Sequence, residues 1–302
     1  MYSRELQKML YPDNSFIQKS IAERGVAGNV ETVEKPVQGS IGKAKEGEPS
    51  TLPLPIRNVS DGKKSYPTTL IYCEPILIDS QSQLLTNYNK RATKQEQQAN
   101  ELNDKVAAYT LEHWSPTKTT NIVKTTGTAR ATNVAGMSSQ RKAVTKEDFL
   151  KLHNLALRQT MGQASAWYGL ISPDMLTDLL SIEDFVNYEK TGMTTKLEKG
   201  IIGRILNFEI YVRSTEAGHS GVLYDSSNRP LSSDSKITDD VLAGALFWND
   251  RAVCRAEGVV NTKINEGAPG YLGGTIIESW MRYGADIIRD DQRGVIALLE
   301  AK

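Results

Sequence analysis

The chain has 302 residues, 39% of them hydrophobic and 24% charged, with 36 cationic side chains against 36 acidic ones. A chain of this size buries a core, which excludes wholesale disorder. No apolar run approaches the ~20 residues that cross a bilayer, residues 1–14 lack the apolar centre of a signal peptide, and two distant cysteines, Cys73 and Cys254, exclude a disulfide framework or a cysteine-rich zinc site.

These features predict a soluble protein of one large or two ordinary domains, made in a reducing compartment. The neutral total conceals a gradient. Cations and acids number 10 and 8 in residues 1–65, 12 and 8 in residues 66–165, and 14 and 20 in residues 166–302. Between Glu112 and Glu147 there is no acidic residue, while Lys118, Lys124, Arg130, Arg141 and Lys142 are present. Such a block either faces a polyanion or is a solvated loop of scattered cations.

The first 65 residues are polar and punctuated by glycine and proline, with apolar residues too sparse to close a core. Beyond a short helix around Phe16–Glu23, short alternations at Val30–Val33 and Leu52–Val59 predict an extended arm with a hairpin, ordered by lying on another molecule. Order begins at Thr68. Leu70–Cys73 and Ile76–Ile78 are β-rich runs around Pro75, which makes the segment an edge or bent strand. Leu85, Tyr88, Ala92, Gln95, Ala99, Leu102, Val106, Tyr109 and His113 then recur at spacings of three and four. They predict one amphipathic helix of about thirty residues, stopped by Pro116.

After the basic loop, Thr145 and Asp148 resemble a capping box opening a helix with Phe149, Leu152 and Ala156 on its face. Ala166–Ile171 reads as a strand, and Ser172-Pro173 as an N-cap followed by proline at the first helical position. Gly200–Ser214 reads as a long strand, Thr275–Tyr283 as a helix and Gly294–Leu299 as a buried strand. Helices and strands without regular βαβ alternation argue an α+β fold.

The catalytic inventory is thin. The three histidines, His113, His153 and His219, form no metal or nucleophile motif. Gly218-His219-Ser220-Gly221 lacks the Gly-x-Ser-x-Gly turn of a hydrolase. Asp239-Asp240 fits a helix N-terminus better than a metal site. The four tryptophans, Trp114, Trp167, Trp248 and Trp280, are too dispersed for base stacking and suit core or interface anchors. No catalytic, cofactor or metal site is expected.

In the order and character of its elements the chain resembles the major capsid proteins of tailed bacteriophages, which share the Hong Kong 97 fold. Residues 1–35 correspond to the N-terminal arm and residues 36–69 to the extended β-hairpin loop. Residues 70–165 correspond to the peripheral domain with its spine helix at 84–113. Residues 166–302 correspond to the axial domain, with strands returning to the peripheral domain. Trp167–Pro173 followed by Met175–Leu180 looks like the family's entry strand and helix. Ile201–Ser214 resembles its long strand, although Asn207 stands where relatives often carry a second glycine.

The resemblance implies a structural, non-enzymatic virion protein. It would self-assemble into hexamers and pentamers of an icosahedral capsid enclosing double-stranded DNA without sequence specificity, assembled in the host cytoplasm. Expected partners are further copies, portal, scaffolding and decoration proteins, with no membrane; the short arm implies a separate scaffold or none. Lys118, Lys124, Arg130, Arg141 and Lys142 would face either the DNA or an acidic patch on a neighbour. The alternatives are an encapsulin-like nanocompartment shell, a hydrolase using His219 and Ser220, and a tail component.

Overall fold

The computed structural model describes residues 13–23, 30–37, 44, 46–47, 61–79, 90–134, 136–160, 166–182, 201–206, 208–214, 221–232, 234–267, 271 and 273–302. Two sheets organise them, with strands numbered along the chain. One contains β1 (Ile21–Ala22), β4 (Thr69–Tyr72), β5 (Ile76–Ile78), β14 (Val253–Glu257), β15 (Asn261–Asn265) and β16 (Thr275–Ile287). The other contains β6 (Ile122–Lys124), β9 (Trp167–Ile171), β10 (Ile201–Ile205), β11 (Phe208–Val212), β12 (Val222–Tyr224), β13 (Leu242–Asn249) and β17 (Val295–Leu299). Two small pairs complete the set: β2 (Thr32–Val37) with β3 (Gly62–Pro67), and β7 (Ala129–Arg130) with β8 (Arg141–Lys142).

The long strand β16 is the axis of the first sheet. Along one edge it pairs antiparallel with β14 and then β15, and along the other with β4 and then β5. Both β-rich runs around Pro75 thus lie on one partner, as a strand interrupted where proline cannot donate. The expected helix over Thr275–Tyr283 is this strand instead. Ile277, Ser279, Met281 and Tyr283 are buried, while Glu278, Trp280 and Arg282 between them are only partly so. The governing period is therefore two, and the paired strands on either side dictate it.

Helix α1 (Lys90–Trp114) lies between the two sheets. Its Leu102, Val106, Ala107, Leu111 and Trp114 share a core with Ile71, Met281 and Tyr283 of the first sheet and Leu170, Leu246 and Val295 of the second. Gln98 also points inward; its amide donates to the carbonyls of Glu74 and Ile277, both at 3.2 Å, and accepts from the Ser279 hydroxyl at 3.1 Å. The helix ends before Pro116, as expected, while the expected start at Leu84 lies outside the described residues.

The opposite face of the second sheet is covered by α2 (Lys146–Gln159) and α3 (Pro173–Leu180). Phe149, Leu152, Met175 and Leu179 pack there on Phe208, Ala245, Phe247 and Ile296. Coverage on both faces explains why β13 and β17 are buried at every position and read as unbroken apolar runs. The Thr145–Asp148 capping box is present, and Ser172 caps α3 ahead of Pro173. β6 and α2, which precede residue 165, pack with this second sheet.

Three further expectations are corrected. Gly200–Ser214 is not one strand: β10 turns back at Leu206, which has φ 53°, and Ile205 pairs with Phe208 of β11. Phe16–Glu23 holds a 3₁₀ turn at Ser15–Gln18 followed by β1, parallel to β14. The N-terminal segment also contributes to the core, since Phe16 is fully buried and Ile17 nearly so. One large ring inserted between the sheets compensates for the sparse apolar content around it.

Candidate functional site

Three features stand out among the described residues: the base of the β2–β3 pair, an exposed face of the first sheet and the basic segment. The hairpin β2–β3 runs in register from Thr32 opposite Pro67 to Val37 opposite Gly62. Its base is fixed by alternation, with Val33 and Tyr66 pointing inward onto Cys254 and Ala256. Lys64 on the same strand pairs with Asp286 at 2.9 Å and donates to the Ile287 carbonyl, and Lys35 pairs with Glu23 at 2.5 Å. These contacts fix the position of the base of the hairpin on the first sheet. The expected alternation at Leu52–Val59 lies outside the described residues.

A second surface is the face of the first sheet turned away from α1. Leu70, Tyr72 and Leu77 are exposed there, Tyr72 by 69%, while the intervening Ile71 and Ile78 point into the core. Tyr72 and Leu77 lie opposite Trp280 and Ile276 in register, so apolar groups adjoin across strands.

The basic segment divides into two groups. Lys118, Lys124 and Lys142 are exposed, with the Lys118 ammonium donating to the Asp290 carbonyl at 2.7 Å. Arg130 and Arg141 turn inward. Arg130 donates through Nε to Asp178 at 2.8 Å and through Nη2 to Glu300 at 2.8 Å, with Asp174 3.5 Å from Nη1. Arg141 is fully buried, and its Nη2 donates to the carbonyls of Asp239 and Val241 at 2.7 and 3.0 Å. The sequence shows no sign of this division, because the acids that hold Arg130 lie 44 or more positions further along the chain. No local spacing marks that pairing.

Asp239 does not open a helix. Its carboxylate accepts the backbone N–H groups of Ser138 and Ser139 at 2.7 and 2.9 Å and the Ser138 hydroxyl at 2.8 Å, and strand β13 follows. Those hydrogen bonds hold its carboxyl far below the ordinary range. The two inward arginines and Asp239 thus fold the basic segment onto the body.

His113 stacks on Tyr109 with centroids 3.9 Å apart, and His153 lies edge-on to Phe208. His219 and Ser220 lie outside the described residues. Trp114, Trp167 and Trp248 are buried core anchors. Among the described residues no group of three or more His, Cys, Asp or Glu side chains could hold a metal ion, and no helix is long and apolar enough to cross a membrane.

The whole architecture is similar to solved phage capsid chains. One is from the capsid of cyanophage P-SCSP1u, with a TM-score of 0.68 and 14% identity, covering 99% of this chain and 91% of that one. A second is from the capsid of Ralstonia phage GP4, with a TM-score of 0.69 and 13% identity over 100% and 95% of the two chains. A third, from Mycobacterium phage Che8, has a TM-score of 0.63 and 16% identity over 99% and 95%. This chain has a phage capsid fold. The Hong Kong 97-type, α+β reading of the sequence agrees with it. No protein-family model and no curated protein sequence matches the chain.

Proposed function

We propose that the protein is a shell-forming capsid subunit. Its likeness to phage capsid chains over essentially its full length is the observation that carries this reading. Residues 1–35 act as the arm, residues 36–69 as the extended loop, residues 70–165 as the peripheral domain with its spine helix, from which β6 and α2 cross to pack on the second sheet, and residues 166–302 as the axial domain with strands returning to the peripheral one. The anchored base of β2–β3 supports a loop that reaches a neighbouring subunit, and the exposed row of Leu70, Tyr72 and Leu77 supports an apolar subunit contact.

Copies assemble into hexamers and pentamers by repeating one heterologous contact around each ring. The rings tile an icosahedral shell around double-stranded DNA in the virion, assembled in the host cytoplasm. Portal, scaffolding and decoration proteins are its further partners. The role is mechanical and not enzymatic, and the phage origin of the similar structures favours it over a cellular nanocompartment or a hydrolase using His219 and Ser220.

Within this reading Lys118, Lys124 and Lys142 are the exposed cations that face DNA or an acidic neighbour, whereas Arg130 and Arg141 hold the segment in place. Sedimentation of the full-length protein tests assembly: fast-sedimenting particles support the reading, and monomers under all assembly conditions contradict it. The triple change of Lys118, Lys124 and Lys142 to Gln tests the segment. Intact shells that retain DNA less well assign it to DNA; failure to assemble assigns it to a subunit contact.

A further inference from the structure

Beyond the shell-forming role, the surroundings of Arg130 contain more negative charge than one guanidinium balances. Glu300, just after β17, is fully buried, and its neighbours Asp174 and Asp178 on α3 are nearly so. Three carboxylates therefore converge on one arginine. Two of them are well supplied with donors. Asp174 accepts the Asn133 backbone N–H at 2.8 Å, the Asn133 amide at 2.6 Å and the Thr132 hydroxyl at 3.3 Å. Asp178 accepts Nε of Arg130 at 2.8 and 3.0 Å and the Val144 N–H at 3.1 Å.

Glu300 is the exception. Its Oε1 accepts Arg130 Nη2 at 2.8 Å, but its buried Oε2 has no hydrogen-bond partner among the described residues. The remaining charges on the adjoining elements are directed elsewhere. Lys142 is exposed, Arg141 donates to the carbonyls of Asp239 and Val241, and Lys302 pairs with Asp240 at 2.7 Å. An orphaned oxygen costs far more on a buried carboxylate than on a neutral carboxyl.

We propose that Glu300 binds a proton in the folded protein and acts as a pH-sensitive latch. In the protonated state Arg130 ties together residues 129–142, α3 and the chain's end. Loss of the proton at higher pH adds a second uncompensated buried charge and loosens that tie. Burial pushes the Glu300 carboxyl above the ordinary glutamate range, Arg130 opposes the shift, and Asp174 and Asp178 reinforce it. A group whose folded value is raised in this way takes up a proton on folding. Its environment is therefore least costly at low pH, and stability falls as pH rises through the folded value.

The test compares full-length wild type with Glu300→Gln, which mimics the neutral carboxyl, from mildly acidic to mildly alkaline pH. In wild type the unfolding equilibrium should shift toward the unfolded state by up to about tenfold per pH unit from this one proton. Glu300→Gln should lose that component. Amide hydrogen exchange in residues 129–142, corrected for its intrinsic pH dependence, should accelerate with pH in wild type and stay level in the variant. An unchanged stability slope and exchange profile in Glu300→Gln would overturn the latch. If the variant does not fold, carbon NMR of carboxyl-labelled glutamate in wild type decides. One glutamate titrating well above the rest supports the proposal, and uniform ordinary titration rejects it.

Discussion

Phe16 packs edge-on against Trp248, with ring centroids 6.0 Å apart and planes at 68°. The Trp248 indole N–H donates to the Lys19 carbonyl at 2.8 Å, so one tryptophan holds the N-terminal segment by its ring and by its polar edge. Phe16→Ala should therefore cost about 3–5 kcal/mol, the range for deleting a large buried aromatic side chain. Chemical denaturation of the unassembled subunit measures it; a loss below about 1 kcal/mol would mean the N-terminal segment is not part of the core.

Arg213 and Asp104 form a second internal tie, Nη2 to Oδ1 at 2.5 Å, with both side chains buried and Asn14 also accepting from the guanidinium. Breaking one half strands a buried charge. Arg213→Met should destabilise by about 3–5 kcal/mol, and adding Asp104→Leu should recover much of that loss. Additive losses in the double variant would contradict a coupled pair.

Asp148 gives a pH dependence of the opposite sign to Glu300. Burial alone would raise its carboxyl, but N–H and O–H donors of Thr126 and the capping box at Thr145 outweigh burial and hold it below the ordinary range. A depressed folded value contributes stability above the unfolded one, and that contribution disappears as pH falls through the folded value. Asp148→Asn should lower the melting temperature at neutral pH, and its deficit relative to wild type should shrink in acid. A deficit that does not depend on pH would remove the charge from the explanation.

Gly169 lies in β9 directly opposite Phe247 of β13. A Cβ there would fall 2.6 Å from the Phe247 ring and 3.1 Å from Ile210. Gly169→Ala should destabilise by about 1–3 kcal/mol through overpacking. Pairing it with Phe247→Leu should recover part of the loss, and denaturant midpoints of the two variants measure this.

Much of this architecture was readable where local chemistry decides it. The three-four spacing from Ala92 to His113 lies within α1, and Thr145–Asp148 and Ser172-Pro173 mark the starts of α2 and α3. The unbroken apolar run of β17 likewise announced a strand covered on both faces. Thr275–Tyr283 reads as a helix because Ile276, Ile277, Trp280 and Met281 also satisfy a helical spacing, and only the strands on both sides of β16 select period two. The inward turn of Arg130 and Arg141 was equally hidden, since their partners stand far along the chain. Phe16 carried no signal beyond its own hydrophobicity, and the cleft that receives it exists only once the sheets are assembled.

The proposed role is to build a closed shell from rings of copies of this chain. Electron cryomicroscopy of the full-length protein under assembly conditions tests it most directly. Closed icosahedral particles are expected, in which β2–β3 extends the shell-forming contact to a neighbouring subunit. Monomers, or open tubes and isolated rings in place of closed shells, would contradict it.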